Sequence, residues 1–248
     1  MTTTEFSNEF DLLYDNASKG APGIDMYEKS VYLTTAQEEL VKEIYSGYTP
    51  SRIGFEGSEK RRKQLSNLLK DAKISRQVSD SEALITTSQF FGLPSNLLYI
   101  VLESVTLIED SEKPGYPVNQ IPVKPVTHDE FLVNIRNPFK KPNDKKAWRM
   151  DVGRSGAVER VELFAVRTIA TYQLRYIKNP DPIILTSFED DSELAGLGLS
   201  VNGVNTVTEC ELEEQMHRDI LNKAVEIAIL RSRENSLVNI VNTNKKIV

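Results

Sequence analysis

Residues 161–177 read VELFAVRTIATYQLRYI, and this stretch decides the predicted fold. Every second residue from 161 to 165 is apolar, and the same alternation returns from 172 to 176. A period of two is typical of a β-strand that buries one face. We therefore expect a β-region here.

Other strands are predicted on both sides of this stretch. Residues 97–108 are rich in β-branched and aromatic side chains, which favours a long strand. Residues 148–152 alternate between apolar and polar, and residues 183–185 form a short apolar run. We expect residues 97–108 and 148–152 to form one largely antiparallel sheet region with residues 161–177, and residues 183–185 to form a short strand.

Helices are predicted at both ends of the chain. Apolar residues at helical spacing mark residues 5–16, and capping-box patterns begin further helices at Thr35 and Thr127. A basic helix is predicted over residues 58–71. The longest helix is predicted over residues 208–234, with its apolar stripe packed on the sheet.

The order of helices, strands and a final helix favours an α+β fold. We expect N-terminal helices, a central largely antiparallel β-sheet region, and a long C-terminal helix plus an extended tail. The predicted division is a helical region over residues 1–95 and a β-rich region over residues 96–248, which could also form one continuous domain.

Composition excludes several classes of protein. The 248 residues have a net charge of −6, one cysteine and two histidines. A single cysteine cannot form an internal disulfide, and with so few cysteine and histidine ligands we expect no conventional zinc site. No apolar run reaches the roughly 18 residues needed to cross a bilayer, and the N-terminus has no signal-peptide pattern. We expect a protein made in a reducing cytoplasm, with no membrane partner.

No motif indicates catalysis. Gly196-Leu197-Gly198 lacks the third glycine of a dinucleotide fingerprint. His217-Arg218-Asp219 copies the letters of a kinase catalytic loop, but it lies inside a predicted amphipathic helix. We therefore expect no catalytic residue, no cofactor and no metal site, and we interpret the chain as a non-enzyme.

Charge is segregated along the sequence. Residues 136–154 carry seven cations and two acids, whereas residues 186–219 carry nine acids and one cation. A second basic run, residues 59–76, also has seven cations and two acids, which favours a solvated helix face, or contact with an acidic partner or a phosphate backbone. Opposite charges on different faces suit head-to-tail contacts between copies. The predicted pairing sets Lys140, Lys141, Lys145 and Lys146 against Glu189, Asp190 and Asp191.

Both chain ends are predicted to act as docking arms. The first segment has an apolar face formed by Phe6, Phe10 and Tyr14, and the last alternates apolar residues, including Leu237 and Ile240, with asparagine. Each end offers little apolar area of its own to bury. We expect both to become ordered against neighbouring subunits.

Six stretches together resemble a known family. They are FDLLYDN at 10–16, APG at 21–23, YEKSVYLTTAQEE at 27–39, YIKNPDPIIL at 176–185, CEL at 210–212 and HRDILNKAVE at 217–226. This pattern is similar to that of ring proteins in the tail neck of crAss-like phages, which infect Bacteroidales. Residues 50–95 carry no part of the resemblance.

The resemblance implies a structural virion protein, assembled in the host cytoplasm as a cyclic ring around the DNA-ejection channel. Its implied partners are copies of itself, adjacent portal, ring or tail proteins, and phage DNA without sequence preference. A head–tail connector or collar protein of the same virion is the alternative. A nucleic-acid-binding accessory protein and an enzyme with a dispersed active site are further ones.

Overall fold

The protein is described from a computed structural model. It describes residues 1–17, 23–47, 55–75, 83–85, 88–108, 120–155, 158–189 and 196–245, with the backbone alone for residues 233–245. The chain forms two compact units. The helical unit comprises residues 1–68 and 180–248, and the sheet unit comprises residues 69–179.

The sheet unit contains seven strands in its described part. Their order in the sheet is β1-β7-β3-β4-β5-β6-β2. Every pairing is antiparallel except that of β4 with β5, which is parallel. Helices and this sheet confirm the predicted α+β fold. The strands are β1 (Leu69–Ile74), β2 (Ser88–Gly92), β3 (Leu97–Leu107), β4 (Gln120–Pro125), β5 (Ala147–Ser155), β6 (Val158–Phe164) and β7 (Ile169–Lys178).

The stretch that decides the fold forms two strands rather than one. Strand β6 ends at Phe164 and β7 begins at Ile169, and the alternating residues of both bury their apolar side chains in one cluster. Phe91 of β2 packs edge-on against Tyr172 of β7 in the same cluster, with ring centroids 5.7 Å apart. The period of two therefore reports a buried sheet face, as expected.

The helical unit is built from both ends of the chain. Its longest helix packs against the first two helices, and Ile220, Leu221 and Ala224 are almost completely buried. The sequence predicted the sheet as the partner of this apolar stripe, and the structure gives that role to α1 and α2. The helices of the chain's described part are α1 (Thr3–Ala17), α2 (Met26–Ser46), α3 (Glu59–Gln64), α4 (His128–Asn134, in the sheet unit) and α5 (Glu214–Lys245).

A stripe of polar side chains on α2 holds the segment that follows β7. Ser30, Thr34 and Gln37 lie at positions i, i+4 and i+7, so they share one helix face. The Thr34 hydroxyl accepts a hydrogen bond from the backbone N–H of Ile183 at 3.1 Å, and the Gln37 amide donates to the carbonyl of Asp181 at 2.8 Å. The Ser30 hydroxyl accepts from the backbone N–H of residue 185 at 3.1 Å. These bonds satisfy buried backbone groups that no sheet partner reaches.

Several predicted element boundaries are wrong. Helix α2 begins at Met26, because Asp25 caps it by accepting from Glu28 N–H at 2.6 Å, so Thr35 lies inside the helix. Helix α5 begins at Glu214 rather than Thr208, whose N–H bonds to Ile184 instead. Its backbone stays helical to Lys245, where the sequence predicted an extended tail. The box at Thr127 is confirmed, since its hydroxyl accepts from Glu130 N–H.

The predicted helix over residues 58–71 is also wrong in its second half. Helix α3 ends at Gln64, and β1 begins at Leu69 and pairs with β7. Pairing along a whole strand edge overrides local helix propensity. The two compact units are a different division from the predicted boundary near residue 95, which stays a prediction.

Candidate assembly interface

The basic stretch forms a hydrogen-bonded loop between α4 and β5. The side chains of Lys140, Lys141 and Lys145 are exposed. Lys146 is half-buried, and its ammonium donates to the carbonyl of Phe139 at 3.3 Å. We call residues 136–146 the basic loop. The loop therefore presents most of its cations to solvent in a fixed backbone conformation.

Two asparagines fix the conformation of the basic loop. The side-chain oxygen of Asn137 accepts from the N–H of Phe139 at 3.0 Å, and that of Asn143 accepts from the N–H of Lys145 at 2.9 Å. Asn143 also forms a two-residue bridge with Lys146. Such local side-chain bonds are typical of turns, and they leave the intervening side chains pointing outward.

Arg149 belongs to the predicted basic surface by sequence, but the structure buries it. Its guanidinium donates to Glu103 at 2.8 Å, and it lies 3.1 Å from Asp151. Tyr172 donates its hydroxyl to the other oxygen of Glu103 at 2.7 Å. Burial raises the pKa of Glu103, and the bonds from Tyr172 and Arg149 act in the opposite direction. This network joins β3, β5 and β7.

The acidic surface lies in the helical unit. The carboxylate of Glu189 is exposed and accepts from the Asn205 amide at 2.6 Å, and Glu209 and Glu214 are also exposed. Glu211 is half-buried and accepts from the backbone N–H of Asp181 at 3.0 Å. Asp190 and Asp191 lie outside the described residues. The predicted pairing of Lys140, Lys141, Lys145 and Lys146 with this acidic surface stays a prediction.

The three aromatic residues of the first helix are placed differently from expectation. Phe6, Phe10 and Tyr14 are buried within the helical unit, and Phe6 lies 5.3 Å from the ring of His217 on α5. An apolar face that already packs on its own chain cannot offer these rings to a neighbour while α1 stays in place. They are core residues in this structure. On the opposite face of α1, Leu12 is 63% exposed.

The predicted docking residues at the other end are only partly described. Leu237 and Ile240 lie on the helical backbone of α5, in the part whose side chains are outside the described residues. Their proposed contact with a neighbouring subunit stays a prediction.

Sequence reasoning missed an exposed apolar group beside the basic loop. Leu132 and Val133 on α4 are 69% and 74% exposed, and Phe139 is 89% exposed. The signal was present in the spacing. Phe131 and Ile135, four residues apart, both pack on the cluster around Trp148, so the two residues after Phe131 must point elsewhere.

The other residues considered for catalysis or metal binding, His217 and Cys210, form contacts within the fold. Within the described ranges, no group of three or more histidine, cysteine or acidic residues could hold a metal ion. Burial lowers the pKa of His217, whose ring contacts the Leu212 carbonyl at 3.1 Å. Burial raises the pKa of the Cys210 thiol to about 11, and this thiol donates to the Gln37 side chain. A protonated, buried thiol is a poor nucleophile at neutral pH.

An open groove of about 250 Å³ lies on the exposed face of the sheet unit. Its walls come from β1, β3, β4 and β7, and an ion pair between Asp71 and Arg175 forms part of its lining. Lys73 also lines the groove, and the Gln120 amide donates to the Gln173 side chain there at 2.8 Å. Among the helices of the described ranges, none is long and apolar enough to cross a membrane.

Comparison with known proteins identifies close relatives. Residues 1–239 match the family described as phage tail ring protein 3/4. The chain is 37% identical over 236 residues to ring protein 3 of Bacteroides phage crAss001, covering 93% of this chain and 96% of that protein. It is 34% identical over 237 residues to ring protein 4/5 of the same phage, covering 92% of each. These matches confirm the resemblance seen in the sequence, and the relatives' names favour a non-enzymatic role.

Proposed function

The chain belongs to the phage tail ring protein 3/4 family, and we propose that it forms a cyclic ring in the tail neck, around the DNA-ejection channel. Family membership makes it a ring protein and a structural component of the virion. Its location in the tail neck and its position around the DNA channel are what we propose. Adjacent portal, ring or tail proteins are its proposed neighbours above and below.

The observation that carries the proposal is the position of opposite charges on two different units. The basic loop belongs to the sheet unit, and Glu189, Glu209 and Glu214 belong to the helical unit. A ring needs a heterologous contact, in which two different faces of the same chain are complementary. Charges arranged in this way favour the correct partner face and oppose contact between two like faces.

Charge reversal in the basic loop tests the ring contact. We expect Lys140→Glu with Lys145→Glu to weaken self-association in sedimentation, and to weaken it most at low salt, where exposed charges are least screened. The matched control is Lys60→Glu with Lys63→Glu, which changes the net charge equally on α3. If the basic-loop variant associates as the unchanged chain does, the basic loop is not a ring contact. If both double variants weaken association equally, the effect comes from net charge and not from the loop.

Helix α3 supports proximity to DNA. Lys60, Arg62 and Lys63 are exposed there, and the Arg62 guanidinium donates to the Glu56 carbonyl at 2.5 Å, which holds it at the surface. A DNA channel needs weak contacts, because the duplex must slide through it. We expect binding to duplex DNA that is detectable only at low salt, since phosphate contacts weaken steeply as salt rises.

Two measurements separate this proposal from its alternatives. Tight DNA binding that persists at physiological salt would instead favour a nucleic-acid-binding accessory protein. Electron microscopy of intact particles, with a tag on this chain, decides its position. Density at the head–tail junction or outside the neck would favour a connector or a collar protein.

A further inference from the structure

The exposed apolar side chains beside the basic loop form a built feature rather than a frayed end. Leu132 and Val133 lie on α4, and Phe139 lies in the turn that α4 leads into, with Asn137 N–H bonded to the Asn134 carbonyl at 3.0 Å. We call Leu132, Val133 and Phe139 the apolar knob. Removal of such side chains from water lowers the free energy, so a contact that covers all three is favourable.

The helix and the turn that carry the knob are fixed by packing and hydrogen bonds. Phe131 of α4 packs against Phe164 with ring centroids 4.5 Å apart and against Trp148 at 6.3 Å. The turn after α4 is fixed at Phe139 by two hydrogen bonds. The Phe139 N–H donates to the Asn137 side chain, and the Phe139 carbonyl accepts from the Lys146 ammonium. A turn whose backbone is already fixed loses little backbone entropy on binding.

The surroundings of the knob resemble an interface. Arg136, Lys140, Lys141 and Lys145 are exposed around Phe139 along the chain. Protein interfaces commonly have a central aromatic or aliphatic anchor within a polar rim. A rim of this charge requires an acidic partner.

The chain itself carries a surface of the required chemistry. In the helical unit, residues 184–189 run beside residues 205–208, joined by the bridge of Ile184 with Thr208 and by the bond from Phe188 N–H to the Asn205 carbonyl. Val207 is half-exposed there, and the acids Glu189 and Glu209 are exposed. We call Glu189, Val207 and Glu209 the acidic apolar face.

We propose that the apolar knob of one copy binds the acidic apolar face of the next copy. Phe139 covers Val207, and the lysines of the basic loop approach Glu189 and Glu209. This inference rests on the proposed ring function, and it names the residues at the centre of the ring contact.

Serine substitutions test the knob against a matched control. Leu132→Ser and Phe139→Ser each weaken self-association by about tenfold or more, as loss of a central anchor does. Leu12→Ser is the control, since Leu12 is 63% exposed on α1, close to the 69% of Leu132. The thermal unfolding midpoint of each variant establishes that it folds. Knob variants that fold and associate as the unchanged chain does, or a control that loses as much association, overturn the proposal.

Photocrosslinking identifies the occupant directly. With benzoylphenylalanine at position 139, cross-links to a second copy within residues 196–214 support the proposal. Cross-links to residues 184–189 of a second copy, which belong to the same face, also support it, whereas cross-links to DNA, to another virion protein or to any other part of the copy overturn it. The two proposals can fail separately. Normal rings formed by the Phe139→Ser chain would contradict the knob contact and leave the ring proposal intact. A chain that forms no rings, yet cross-links to a second copy at residues 184–189 or 196–214, would contradict the ring proposal and support the contact.

Discussion

Two polar networks, one in the helical unit and one in the sheet unit, satisfy their buried groups in different ways. In the helical unit, uncharged side chains of α2 bond to the backbone of an extended segment near Ile183. In the sheet unit, the charged groups of Glu103 and Arg149 meet with the Tyr172 hydroxyl between strands. A neutral hydrogen bond leaves one unsatisfied group when it is lost, whereas a buried ion pair leaves an unpaired charge. The two networks should therefore differ in their sensitivity to the loss of one partner.

Removal of Glu103 should be the most damaging change. In Glu103→Ala, the largely buried Arg149 loses its buried carboxylate partner and, among the described residues, keeps the exposed Asp151 as an acidic neighbour. We expect the free energy of unfolding to fall by about 3–5 kcal/mol, as measured by urea denaturation.

A double variant separates the charge from the packing. Glu103→Leu with Arg149→Met removes both charges and retains apolar volume, so it should be clearly more stable than Glu103→Ala. If Glu103→Ala costs less than about 1 kcal/mol, the network is hydrated and the contrast between the two networks disappears.

The helical unit should depend most on its apolar core. Ile220 is fully buried where α5 meets α1 and α2, so Ile220→Ala should lower the free energy of unfolding by about 2–5 kcal/mol. Leu230 on the same helix is exposed, and Leu230→Ala should change stability by less than about 0.5 kcal/mol. Equal losses in chemical denaturation would mean that α5 is not packed as described.

Local periodicity predicted the parts of the fold that depend on nearby residues. The alternation over residues 161–177 gave two true strands, and the box at Thr127 gave the start of α4. Failures came where a distant partner decides. Strand β1 exists because it pairs with β7, about a hundred residues away, and Thr208 bonds to Ile184 instead of capping a helix.

The candidate interface was predictable only in part, for a similar reason. A count of charge along residues 136–154 cannot distinguish the exposed Lys140 from Arg149, which a glutamate 46 residues away draws into the sheet. Likewise, the apolar face of Phe6, Phe10 and Tyr14 showed that a partner is needed, but not that α5 provides it. Sequence patterns report the need for burial, and the tertiary fold decides what supplies it.

Loss of a neutral hydrogen bond in the helical unit should have an intermediate cost. Thr34→Val removes the acceptor of the buried Ile183 N–H, and we expect a loss of about 1–3 kcal/mol in the free energy of unfolding. Thr35→Val is the matched control one residue away, because the Thr35 hydroxyl only donates to the Val31 carbonyl within its own helix. Losses of the same size for both variants would mean that the bond to Ile183 has no particular weight.

The smallest effect should come from the exposed ion pair of the sheet unit. Arg175 donates to Asp71 at 2.7 Å, and this hydrogen bond lowers the pKa of Asp71 from its usual value of 3.8. A carboxylate with a lowered pKa in the folded state stabilises the fold above its unfolded pKa, and that contribution disappears as the pH falls through the folded pKa. Because water screens an exposed pair, Asp71→Asn should leave the unfolding midpoint at pH 7 nearly unchanged, in contrast to the buried Glu103. An NMR titration of the Asp71 carboxyl carbon checks the cause: the pKa should rise in Arg175→Gln. A pKa that is the same in both chains would show that the pair does not form in solution.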